Sequence, residues 1–224
     1  PPRSTLFPYT TLFRSEVRVL SGQMANAVVF SGLVDYLNRG DRKTEPRRIR
    51  SILNNHIIRG GHLSAQPMGA LYNFVGYDRR LEKPAVANFP VLPENPYKID
   101  VEETRRIIDE IRPELIIFGK SMVLHREPVR EIRDFLREQK IDSIVLYDMA
   151  HVLGLLGPYF QQPFAEGADL VTGSTHQTFF GTPRGIVAGN WREQDRGFAV
   201  WEYGESRTFP GSGKKHQLGN QLGL

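Results

Sequence analysis

Two short apolar runs that each end abruptly on polar side chains constrain this chain more than any other feature. Residues 144–147 read IVLY and stop at Asp148; DLVTG (169–173) stops at Ser174, Thr175 and His176. Each run is too short for an independent helix, and neither alternates with polar residues along its length. That is the pattern of strands buried on both faces of a parallel sheet. In open α/β sheets ligands collect outside the carboxyl ends of the strands. Asp148, His151, Ser174 and His176 are therefore expected to project toward one crevice, with residues 144–184 as its floor.

The rest of the chain alternates in the same sense. Residues 22–37 place Ala25, Val28, Val29, Leu33 and Leu37 near helical spacing, and Gly40 supplies a stop. Ser21 and Gly22 open that helix, where free amides and the helix dipole favour an anion such as a phosphate; a plain cap is the bland alternative. RIRSILN (48–54) reads as a strand, and the glycines of NHIIRGGHLS, Gly60 and Gly61, permit a turn or a close approach beside His62. Asp100 and Glu103 form a capping box ahead of Ile107, Ile108 and Ile111, with Pro113 as the stop. LIIF (115–118) is a further buried strand. Pro128 then opens a helix with Val129, Ile132, Phe135 and Leu136 facing inward, and IVAGN and FAVWEY are later apolar segments. Strands alternating with helices predict an α/β fold with a mostly parallel sheet flanked by helices.

Composition removes several function classes. The 224 residues carry a formal charge of +4, and Arg3 and Arg14 supply two of those charges. The densest basic stretch, RGDRKTEPRRIR (39–50), is broken by Asp41, Glu45 and Pro46 and holds no aromatic residue for base stacking, so no nucleic-acid partner is expected. The absence of cysteine removes disulfides and thiolate metal sites and accords with a reducing cytoplasm. No apolar stretch approaches the roughly 20 residues of a membrane-spanning helix, so no membrane partner is expected either. GSGKK imitates a phosphate loop but has Thr208 where that loop needs glycine and Lys215 where it needs Ser or Thr. Residues 5–15, TLFPYTTLFRS, resemble a translated sequencing adapter, so residues 1–15 are set aside as a non-native leader. The final GNQLGL reads as an interrupted helix start, so the chain is expected to be incomplete there.

Asp148 and His151 are a carboxylate and an imidazole three residues apart. Such a pair can be a structural ion pair, a metal site or part of a cofactor site. A metal would want a third ligand at matched spacing, and His176 alone is a poor one.

YDMAHVLGL followed by TGSTHQT and PRG resembles the serine hydroxymethyltransferase family, whose pattern reads VDMAHVAGL, TTTHKT and GPRGG. The resemblance extends over residues 16–224. It implies the large domain of the aspartate-aminotransferase-like (fold type I) enzymes that use pyridoxal 5'-phosphate, without the small C-terminal domain. By the same resemblance Ser21, Gly22 and Gln23 stand in the phosphate-binding turn, together with Asn26, and His62 lies flat against the pyridine ring. Ser121 and His151 fall near the phenolic oxygen, Asp148 pairs with the ring nitrogen, and Ser174 and Arg184 complete the cofactor contacts. A ring nitrogen kept protonated by a carboxylate is what makes this cofactor an electron sink.

The resemblance also sets the limits of the chemistry. His176 precedes the position where the family carries its Schiff-base lysine, and that position is Gln177, whose amide is no nucleophile. Cofactor can then be held only noncovalently. The family's N-terminal Glu and Tyr would precede Glu16, and its substrate-clamping arginine would follow Leu224. Phe209, Pro210 and Gly211 match a loop that reaches the partner subunit's cofactor phosphate, and Gly213 matches it loosely. A whole protein of this kind is expected to be a cytoplasmic homodimer acting on an amino acid, serine to glycine, with tetrahydrofolate as cosubstrate. Departures at Ser64, Ala65, Gln66 and at Thr178, Phe179, Phe180 leave a related aldolase or transaldolase as an alternative, and Gln177 leaves a non-catalytic cofactor-binding homologue.

Overall fold

The computed structural model describes residues 13–40, 45–190 and 196–208. Its seven-stranded sheet comprises β1 (Phe13–Glu16), β2 (Ile52–Asn54), β3 (Val86–Asn88), β4 (Leu115–Phe118), β5 (Ile144–Asp148), β6 (Leu170–Ser174) and β7 (Gly185–Asn190). The spatial order is β1-β7-β6-β5-β4-β2-β3. From β6 to β3 every neighbouring pair is parallel, and β7 runs antiparallel to both β6 and β1. This is the expected α/β architecture with a mostly parallel sheet flanked by helices, the arrangement that the resemblance implies for a fold type I large domain. Residues 13–15, within the stretch set aside from fold reasoning, lie in the edge strand, where Phe13 pairs with Asn190 and Ser15 with Ala188.

The central strands explain the packing. Every residue of β4, β5 and β6 is buried, because helices cover both faces. Alternate residues serve alternate cores. Ile144 and Leu146 of β5, Leu170 of β6, and Leu115 and Ile117 of β4 pack with α1 (Gly22–Leu37) and the strand-proximal part of α5 (Arg196–Ser206). Val145, Tyr147, Val171, Ile116 and Phe118 face the other layer, with α2 (Val101–Ile111), α3 (Val129–Glu138) and the short α4 (Pro163–Glu166). The ring of Phe118 stacks on Phe89 with centroids 5.0 Å apart.

Helix α1 is enclosed by the sheet on one side and α5 on the other, which is why its apolar residues spread around it instead of forming one stripe. The two helices approach closely where a Cβ on Gly32 would come within 2.8 Å of the Gly204 amide. Its end also differs from expectation. The helix stops at Leu37, and Asn38, not Gly40, caps it by donating its side-chain amide to Val34 O at 2.7 Å. In α2 the capping box is half made: Asp100 accepts from Glu103 N at 3.0 Å, while the Glu103 carboxylate turns to Arg106. The strand expected over residues 48–54 is regular only from Ile52, because Arg47 and the Arg50 amide are drawn to the Glu114 carboxylate.

Candidate functional site

The period of two that sorts the cores also sorts the polar residues at the carboxyl edge of the sheet. Asp148 follows Ile144 and Leu146 onto the α1 face, and Thr172 follows Leu170 there. Asn26, one turn into α1 from Gly22, meets both of them. Its amide nitrogen donates to Asp148 Oδ2 at 2.8 Å and to Ser64 Oγ, and its carbonyl accepts from Thr172 Oγ1 at 2.6 Å. Asp148 is only 1 % exposed, and its other oxygen, Oδ1, accepts from the Ala150 amide at 3.0 Å.

His62 reaches this carboxylate through the double-glycine turn. Gly60 adopts φ +87°, which side chains resist, and a Cβ on Gly61 would lie 2.5 Å from the Asn55 carbonyl. The turn is fastened to the segment after β4, where Gly61 pairs with Lys120 and Ser121 N donates to Gly60 O at 2.8 Å. His62 Nδ1 then sits 2.6 Å from Asp148 Oδ2, and its ring meets His151 edge-on, with centroids 4.9 Å apart. The resemblance gives His62 a stacking role; the structure adds a hydrogen bond to the carboxylate.

The two imidazoles titrate in opposite directions. Burial disfavours a charged His62, but the hydrogen bond and negative charge of Asp148 outweigh it and raise the pKa above 6.5. Burial and the neighbouring His62 lower that of His151, against a weaker pull from Asp148. The site therefore holds one imidazole that favours its proton beside one that sheds it.

The Ser21 turn belongs to the same crevice. Ser21 is the N-cap of α1, accepting from Met24 N at 3.2 Å. A Cβ on Gly22 would stand 3.4 Å from Ser174 Cβ and 3.5 Å from Ala150 Cβ. The helix start, the end of β5 and the end of β6 thus converge.

Other predicted residues are placed less directly. Ser174 is buried, and its hydroxyl lies 3.0 Å from His176 Nδ1. His176 and Gln177 are exposed on the loop after β6, which docks where Gly154 N donates to Thr178 Oγ1 at 3.2 Å. Gln23 is exposed. Ser121 is exposed and engages the His62 turn through its backbone. Arg184 is 1 % exposed, and its guanidinium donates to the Arg18 carbonyl at 3.3 Å, a contact that ties it to the segment leading into the Ser21 turn. Residues 209–211, Gly213 and the basic residues 42 and 43 lie outside the described residues.

Sequence reasoning matched Asn26 to the phosphate-turn motif but did not assign it to the carboxylate, and it passed over Thr172 and read Ser64 only as a departure. Asn26 lies four residues from Gly22, on the same face of the helix, and Thr172 lies two residues before Ser174, on the same face of its strand; both spacings carry the signal.

The donor set fits a pyridoxal-type ring. A carboxylate offers about four acceptor positions. Asp148 uses two on Oδ2 and one on Oδ1, which leaves capacity on Oδ1 for one further N–H. Among the described residues no group of three or more His, Asp or Glu side chains could hold a metal ion, and no helix is long and apolar enough to cross a membrane.

A model of the serine hydroxymethyltransferase family matches residues 5–191. The serine hydroxymethyltransferase of Archaeoglobus fulgidus is 36 % identical over 210 residues, which cover 93 % of this chain and 41 % of that protein. The Pyrococcus abyssi protein is 35 % identical over 219 residues, 96 % of this chain and 45 % of the relative, and that of Korarchaeum cryptofilum is 32 % identical over 206 residues, 91 % and 43 %. The chain spans less than half the length of these relatives.

Proposed function

The chain belongs to the serine hydroxymethyltransferase family, and we propose on that footing that residues 16–224 are the large domain of such a protein, built to hold pyridoxal 5'-phosphate noncovalently. The observation that carries this is the buried Asp148 carboxylate, fixed by Asn26, His62 and Ala150 N beside the start of α1. When bound, the cofactor supplies an electron sink for cleavage next to an amino acid's α-carbon.

In this proposal the chain's own groups divide the work. The Ser21 cap takes the Met24 amide, so the amides of Gly22 and Gln23, which have no partner within the helix, are offered to the phosphate. Asp148 is the residue that would pair with the ring nitrogen and keep it protonated, through the capacity left on Oδ1. His62 and His151 would flank the ring, with Asp148 favouring the protonated form of His62. In a whole protein with lysine at position 177, the reaction is hydroxymethyl exchange between serine and glycine with tetrahydrofolate, in a cytoplasmic homodimer.

Gln177 favours a second reading for this chain itself, a cofactor-binding homologue without turnover. Its amide can neither capture the cofactor nor release a product from it. Ser64 and Gln66 support some divergence in substrate, because both are buried and committed to Asn26 and the Asn55 carbonyl. The test is serine cleavage by a version extended to the relatives' length, with and without Gln177→Lys. Activity only with Gln177→Lys supports the family reaction; no cleavage with it, despite bound cofactor, supports the non-catalytic homologue.

A further inference from the structure

On the face of the sheet away from α1, a second buried polar group backs the site. Lys120 and Glu127 are each 3 % exposed at the side chain and form an ion pair at 3.2 Å. Residues that alternate with the site residues supply it: Lys120 follows Gly119, whose Cβ would collide with the Asp148 carbonyl, and Asn55 follows the buried Asn54. Glu127 Oε2 accepts from Asn55 Nδ2 at 2.7 Å and from the Gly119 amide at 3.1 Å. Lys120 Nζ donates to Tyr97 O at 2.7 Å. The backbone of Glu127 exchanges hydrogen bonds with the side chain of Gln161, which also accepts from the Tyr147 hydroxyl at 2.8 Å.

The Glu127 carboxylate therefore joins the ends of two strands, and its backbone reaches the end of a third through Gln161. Asn55 starts the segment that carries His62, Gly119 lies against Asp148, and Tyr147 immediately precedes it. We propose that Lys120 and Glu127 are positioning residues that set the distance between His62 and Asp148 from the opposite face of the sheet. A pair so enclosed is a poor source of net stability, since burying both charges costs about what their attraction returns. What it supplies is geometry: without it, Asn55, which leads into the Gly60–Gly61 turn, and Gly119, which lies against Asp148, lose their common anchor. The cofactor arm of the test rests on the proposed function; the histidine arm does not.

The experiment uses the full chain with nitrogen-15-labelled histidine, following the titration of His62 by nuclear magnetic resonance, with His62→Gln for assignment. The test variant is Lys120→Met with Glu127→Gln, which removes both charges together. The control is Arg133→Met with Asp169→Asn, a pair at the amino edge of the sheet, where Asp169 accepts from Val145 N. The His62 midpoint is expected to fall by about one unit in the test variant, the scale of a lost ionic hydrogen bond, and to hold in the control. Pyridoxal 5'-phosphate affinity, followed by tryptophan fluorescence, is expected to weaken about tenfold. If the neutral pair does not fold, Glu127→Asp withdraws the carboxylate by one methylene, and a smaller fall is expected. A midpoint that stays put, or that moves equally in the control, overturns the inference. A midpoint that falls in a chain showing no saturable cofactor binding upholds the positioning role and overturns the cofactor reading.

Discussion

His62 and Asp148 are separated by 86 residues in the chain and by 2.6 Å in space. The partner that brings them together is conformational, a double-glycine turn fastened to the segment after β4. The consequence is electrostatic. Because the folded His62 has a raised pKa, its contribution to stability is fully present below 6.5 and is lost as pH rises through the higher folded value. His151, with a lowered pKa, works the other way: its contribution is present above 6.5 and is lost as pH falls through the lower folded value. In urea unfolding across this range, His62→Gln is expected to remove the alkaline decline and His151→Gln the acid one. Identical pH profiles for parent and His62→Gln would contradict the pairing.

Asn26 holds the site together through hydrogen bonds alone. It is fully buried and joins Asp148, Ser64 and Thr172. Asn26→Ala leaves those groups short of a partner and is expected to destabilise the chain by about 2–3 kcal/mol, read as a lower urea midpoint with an unchanged slope. Thr172→Val, which removes only one donor, is expected to cost about 1 kcal/mol.

Gly119 carries two constraints at once. Its φ is +109°, and a Cβ would stand 2.0 Å from the Asp148 carbonyl. Gly119→Ala is expected to cost about 3 kcal/mol through backbone strain and the forced shift of β5. Gly40→Ala, at a glycine with no atom within 4 Å of the added Cβ, is the neutral comparison in thermal unfolding.

The loop that carries Gln177 is exposed, so Gln177→Lys is expected to change stability by less than about 0.5 kcal/mol. Incubation with pyridoxal 5'-phosphate followed by borohydride should attach the cofactor at position 177 in the variant. Peptide mass mapping checks this, and labelling spread over surface lysines with none at 177 would show that the loop does not face the crevice.

The parts of this molecule that were legible in the sequence are those fixed by local pattern. The runs that became β4, β5 and β6 could be read because burial on both faces leaves no polar alternation, and Asp148 could be placed because it ends such a run. Helix α2 announced itself through Asp100. What could not be read depends on tertiary partners. The side chain of Asn38 ends α1 because its carbonyl also accepts from Arg47 N, a contact nine residues away. Strand β3 is three residues long and exists because β2 pairs with it. The Asn26–Thr172 bond spans 146 positions, and the Lys120–Glu127 pair is unreadable without knowing which face each residue takes.

Equilibrium dialysis of pyridoxal 5'-phosphate against the chain and against Asp148→Asn measures the proposed role of the crevice most directly. The expected result is saturable binding of one cofactor per chain, released in full on denaturation, and weakened at least about tenfold by Asp148→Asn, the equivalent of about 1.4 kcal/mol. Absence of saturable binding, or equal affinity in a correctly folded Asp148→Asn variant, would contradict it.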